Sequence, residues 1–188
     1  MEIKDIYGNL PVLETERTML RKVRRDDLND MFNYCSDEAM TKYTTWYTHQ
    51  TPQDTQGFIN FILNTYDNQE VAPWGIEDKS TGKLIGTCGF MYWSIDHARA
   101  ELGYALSREY WNKGIMSEAA TRIIQFGFEV MDLIRIEARC HPDNIGSARV
   151  MEKSGMTFEG ILRKHLFCKG HHQDVKMYSI LREEAGYQ

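Results

Sequence analysis

Two kinds of hydrophobic pattern alternate along the chain. Short runs rich in β-branched and aromatic residues fall near Thr15–Val23, Ala72–Asp78, Leu84–Trp93, Ala98–Leu106, Ile134–Cys140, Met156–Phe167 and Asp174–Leu181, and predict strands. Longer stretches at Arg25–Cys35, Pro52–Tyr66, Ile115–Met131 and Asn144–Ser154 predict helices. In the third of these, Ile115, Ala119, Ile123, Phe126 and Val130 recur at spacings of three and four, which marks a buried face. Lys79-Ser80-Thr81-Gly82 predicts a hairpin turn, and Gly155 suits a left-handed C-cap. Interleaved strands and helices predict an α+β fold, a mixed sheet with helices on both faces. No repeat or linker divides the chain, so residues 1–188 read as one domain.

Composition narrows the function classes. A net charge of −5 argues against broad nucleic-acid binding. The basic cluster Arg21-Lys22-Val23-Arg24-Arg25 reads as a solvated strand end. No apolar run has the length of a membrane span, and the acidic N-terminus does not read as a secretory signal. Four scattered cysteines without a Cys-x-x-Cys pair suggest a reducing, cytoplasmic setting.

The segment from Leu106 to Ala119 carries the most chemistry. A strand, a turn bearing Gly114 and a helix start follow one another there. The first-turn amides and the positive end of the helix dipole make such a junction an anion site, so a phosphate or pyrophosphate is expected. Neither Gly-x-Gly-x-x-Gly nor the P-loop pattern is present.

Tyr110-Trp111-Asn112-Lys113-Gly114-Ile115-Met116-Ser117-Glu118-Ala119 resembles the acetyl-CoA loop of the GNAT N-acetyltransferases. The likeness is closest to the RimJ/RimL branch, which acetylates ribosomal-protein N-termini. Glu14 to Arg21, Asn144 to Ala148, Lys153 to Gly160, and Asp174 to Tyr178 resemble further motifs of that branch, in the same order. The resemblance covers roughly residues 12 to 182. It implies a mostly antiparallel, seven-stranded sheet, splayed in the middle to admit the pantetheine arm. It also implies acetyl-CoA as co-substrate, held by Trp111, Asn112, Lys113, Gly114, Ile115 and Met116, by the strand end at Ala105 and Leu106, and by Asn144. Two departures stand out. Met116 replaces the usual Gly or Ala and is expected to tighten the pyrophosphate pocket; Met151 replaces a tyrosine that protonates the leaving thiolate.

Amine acetylation requires a base for the amine and a donor for the departing thiolate. Glu101 is the expected base: strand alternation puts it on one face with Gly103 and Ala105, whose small size predicts an open groove. The alternative is a structural carboxylate paired with Arg99 or Arg139. Ser147 is the expected thiolate donor, the alternative being a helix-start residue capped by Asn144. His165, Cys168, His171 and His172 hint at a metal, but extended geometry turns His165 and Cys168 to opposite faces, so no metal is expected. The aromatic stretch from Tyr43 to His49 is expected to border the acceptor pocket or to cover the core. The acceptor is an amine-bearing partner, a protein N-terminus or else a polyamine, amino acid or antibiotic; a non-catalytic acyl-CoA-binding module is the rival class. No nucleic acid or membrane partner is expected, and a homodimer is left open.

Overall fold

The computed structural model describes residues 1–187. Its sheet runs β1 (Leu13–Glu14), β2 (Thr18–Arg21), β3 (Trp74–Asp78), β4 (Leu84–Ser94), β5 (Arg99–Leu106), β6 (Arg135–Cys140), β7 (Thr157–Cys168) and β8 (His171–Leu181). The spatial order is β1-β2-β3-β4-β5-β6-β8-β7. The helices are α1 (Ile3–Tyr7), α2 (Leu28–Cys35), α3 (Glu38–Thr41), α4 (Pro52–Asp67), α5 (Ile115–Glu129) and α6 (Ile145–Lys153). The eighth strand, beyond the expected seven, is the two-residue β1. Helices α1 and α3 are too short to show a period.

All neighbouring strands are antiparallel except β5 and β6. That parallel pair is matched only from Arg99–Leu102 to Arg135–Ala138. Beyond Leu102, β5 stays paired with β4 as far as Leu106, while β6 follows β8 to Cys140. The two strands therefore part, and the edge of Gly103–Leu106 turned away from β4 has no strand beside it. This is the splay that the resemblance implies.

Helix α5 lies on one sheet face. A Cβ on Gly127 would stand 2.9 Å from both Ile136 and Phe90, so glycine sets how closely the helix approaches. The predicted face of α5 is buried from Ile115 to Phe126, but Val130 is 42% exposed because the helix ends at Glu129. On the other face, Arg21 is buried and bonds both oxygens of Asp27, with Glu77 also in contact. It is thus no solvated strand end. Burial disfavours its charge, yet Asp27 and Glu77 outweigh that and raise its pKa. The last strand starts at His171, three residues earlier than the pattern indicates.

Candidate active site

Helix α5 begins without a cap of its own. Its N-cap is Gly114, in the left-handed region at φ +78°, and no side chain accepts from its first turn. An L side chain adopts that conformation only with strain, about 1–2 kcal/mol. A Cβ there would meet nothing nearer than the Arg17 guanidinium at 3.5 Å, so the space is open. Unsatisfied first-turn amides facing open space fit an anionic ligand.

Long-range contacts shape the loop. Arg17 donates from its backbone N and its Nε to Glu118 at 2.9 and 2.7 Å, and from Nη1 to the Lys113 carbonyl at 2.8 Å. Burial works against charge on Glu118, but hydrogen bonds from Thr15 and Arg17 outweigh it and lower its pKa. The Trp111 indole donates to the Leu106 carbonyl at 2.8 Å, anchoring the loop to the end of β5 and occupying that acceptor. Asn112 also has positive φ, +60°. A groove opens beside the helix start, lined by Arg17, Lys79 and Lys113 and equally by Glu16, Asp78 and Glu109. Met116 does not tighten this pocket. Its side chain is buried in the core, so only its backbone belongs to the loop.

Helix α6 starts differently. The Asn144 Oδ1 accepts the Ser147 amide at 3.1 Å, so Asn144 is the cap that Gly114 is not. The Ser147 Oγ stands 3.0 Å from the Tyr104 Oη, and the tyrosine also donates to the Ser147 carbonyl at 3.0 Å. Burial raises the Tyr104 pKa well above its ordinary value, so the phenol stays protonated. Strand alternation alone places Tyr104 on the face opposite Glu101; its reach to α6 depends on packing and is not legible in sequence. Met151 is buried one turn beyond Ser147, within the core.

Glu101 is half-buried and pairs with Arg139, whose Nε lies 2.9 Å from its carboxylate. Burial raises its pKa, Arg139 partly offsets this, and Glu137 on the adjoining strand adds to it. Glu137 is held by Arg135 at 2.7 Å and Arg99 at 3.4 Å. The groove beside Glu101 is not open, however. A Cβ on Gly103 would stand 2.5 Å from the Met91 Cγ, so Met91 lies over the glycine. The register of β4 shifts between Phe90 and Tyr92, leaving Met91 as the extra residue of a bulge. No local pattern signals that bulge.

Glu101 and Ser147 approach from opposite faces of β5. A reacting centre touched by both must sit in the opening between β5 and β6. The wall on the Glu101 side includes the segment from Tyr43 to His49. Tyr43 stacks on His141 at 5.0 Å, and Trp46 packs with His49 and Phe58. That segment is therefore both wall and core cover. Among the described residues, no cluster of His, Cys, Asp or Glu could hold a metal, and no helix is long and apolar enough to cross a membrane.

Comparison with known proteins agrees with this geometry. Residues 17–157 match the family model described as an acetyltransferase (GNAT) domain. An uncharacterised N-acetyltransferase of Bacillus subtilis, YoaA, is 33% identical over 92% of this chain and 97% of its own. The crystal structure of a GNAT-family acetyltransferase from Bacillus anthracis has a TM-score of 0.81 at 32% identity, covering 92% of this chain and 99% of that one. RimL, a ribosomal L7/L12 α-N-protein acetyltransferase solved with coenzyme A, shares the fold. Its TM-score is 0.79 at 18% identity, with 91% of this chain and 98% of that one covered. With an uncapped α5 start, a parted β5–β6 pair and a family match over most of its length, this chain belongs to the GNAT family and is an acetyl-CoA-dependent N-acetyltransferase.

Proposed function

We propose that the protein acetylates the N-terminal amino group of a polypeptide, as enzymes of the RimJ/RimL type do. The observation that carries this reading is the opening between β5 and β6, with Glu101 on one face and Ser147 on the other. The half-buried ladder of Arg99, Glu101, Arg135, Glu137 and Arg139 gives an extended chain a polar surface to cross on its way to that opening.

Acetyl-CoA, when bound, supplies the activated acetyl group. The first-turn amides from Asn112 to Met116 hold its phosphates, and the free edge of Gly103–Ala105 pairs with the amides of its arm. The amide group of Asn144 retains its two N–H donors for the same arm, since only its oxygen serves the helix. Glu101 takes the proton from the incoming ammonium, directly or through water. With the Tyr104 proton on the Ser147 carbonyl, the one Ser147 hydroxyl proton rests on the Tyr104 oxygen and turns to the departing sulfur as negative charge grows there. Attack is direct. Burial pushes the Cys140 thiol up to about 11 and the Cys35 thiol up to about 12, so neither thiol is an activated nucleophile.

Free-thiol release with acetyl-CoA and a panel of N-terminal peptides, amino acids and polyamines tests the acceptor class. Peptides are expected to turn over, and polyamine-only activity would overturn the reading. Glu101→Gln is expected to lower the rate about 100- to 10,000-fold. An unchanged rate across pH 6 to 9 would remove Glu101 from the mechanism.

A further inference from the structure

Beyond Leu162, β7 no longer keeps step with β8. Leu162 lies opposite Val175 and Leu166 opposite Gln173, so β7 advances four residues while β8 advances two. Arg163, Lys164 and His165 form the resulting bulge. Lys164 has φ +53°, and its amide donates to the Asp174 carboxylate at 2.8 Å. All three side chains are exposed.

The bulge belongs to the acceptor side of the site. His165 is within electrostatic reach of Glu101. The hairpin tip rests on the segment that walls the pocket: the Cys168 thiol is 3.6 Å from the Thr45 carbonyl, and the Lys169 Nζ is 2.7 Å from the Thr41 carbonyl. An acceptor passing over Glu101 would meet this hairpin where its tip joins the wall.

The charge of this hairpin opposes that of the chain. Residues 160–176 carry four Lys or Arg against one Asp, with three His, while the whole chain stands at −5. Among the described residues, Arg163, Lys164 and Lys176 form no ion pair. By contrast Arg99, Arg135 and Arg139, on the sheet beside them, are each matched to a carboxylate. Uncompensated cations beside a site raise the local concentration of anions and repel polycations. Ile161, Leu162 and Phe167, at 50%, 38% and 64% exposure, add apolar contact on the same strand.

We infer that Arg163 and Lys164, the unpaired cations on the bulge of the β7–β8 hairpin, make the protein select polypeptides whose residues following the acetylated N-terminus are acidic. The inference rests on the N-terminal reading above. Charge complementarity identifies the occupant. A second copy paired along the same outer edge of β7 would set Arg163 and Lys164 near their like-charged counterparts, across a strand already interrupted by its bulge.

The test uses peptides beginning with Ala, Ser, Thr or Met, each followed by an acidic, neutral or basic stretch, together with spermidine and with dipeptide amides whose side chains are uncharged. At low salt, kcat/KM is expected to be about tenfold or more higher for acidic than for basic peptides, converging as salt rises. Arg163→Glu combined with Lys164→Glu is expected to reverse the order while leaving the dipeptide amides unchanged. A melting temperature equal to that of the parent protein confirms that this surface variant folds. Equal rates for all peptides, or a preference that the double variant leaves intact, would overturn the inference and leave the N-terminal reading standing. Turnover of spermidine with none of the peptides would overturn the reading and the inference with it.

Discussion

The two sides of the β5–β6 opening are built by different means. The proposed donor side is mostly backbone: the free edge of Gly103–Ala105 and the uncapped amides at the start of α5, drawn largely from one stretch of chain between residues 103 and 118. The proposed acceptor side is mostly side chains: Glu101 with Arg139, Met91 over Gly103, the aromatic wall from Tyr43 to His49, and the basic bulge of β7. These come from five separate parts of the chain. A ligand met by backbone needs a fixed conformation and few particular side chains. An acceptor is chosen by charge and shape, which side chains supply.

The largest expected effect breaks the donor side at its backbone. Gly114→Val puts a β-branched residue at φ +78°. CoA at about 100 times its dissociation constant stabilises the parent by about 2.7 kcal/mol. Calorimetry should find that gain absent in the variant, along with turnover. A variant that keeps the full CoA-induced rise would show that backbone conformation does not define the donor side.

Next comes Ser147→Ala, where the donor side borrows a side chain. A hydrogen bond to a charged group is worth about 1.5–3 kcal/mol, which is about 10- to 100-fold in rate. The loss should fall on kcat, with KM for acetyl-CoA and the melting temperature nearly unchanged, because the interaction grows only as charge develops. Asn144→Ala sharpens the contrast, since it removes the cap rather than the hydroxyl. About 1 kcal/mol of stability should be lost, or about 2–4 °C in a chain of this size. Reduced stability with normal turnover in Ser147→Ala would return Ser147 to a purely structural role.

The smallest effect concerns pH on the acceptor side. Burial raises the Glu101 pKa, and Arg139 holds it down in part. A base must be deprotonated, so the rate falls as pH drops through that raised value. Arg139→Gln removes the lowering charge and should move the acid limb of kcat/KM to higher pH, with little change on the alkaline side. A limb that stays in place, or moves down, would separate Glu101 from the titration.

The elements themselves were legible because their signals are local. Periodicity located four helices and the seven longer strands, Gly155 marks a left-handed C′ at φ +86°, and the strand–turn–helix around Gly114 announces an anion site. The same reasoning singled out Glu101 and Ser147 as candidates, and it named Arg139 among the partners of Glu101 and Asn144 as the cap beside Ser147, both of which the structure places there. That Arg17 braces the donor loop from 101 residues away, that Tyr104 crosses to Ser147, that Arg21 is buried on Asp27 and Glu77, and that Met91 covers Gly103 all depend on register and bulges. So did the burial of Met116, which reads from sequence as an obstacle in the loop. By itself the sequence determined which segments become strands and helices and where backbone amides would be left uncapped, since those follow from hydrophobic spacing and from glycine's freedom at positive φ. Only the tertiary structure decided which charges meet across strands, because one added residue in β4 or two in β7 redirect every contact beyond them.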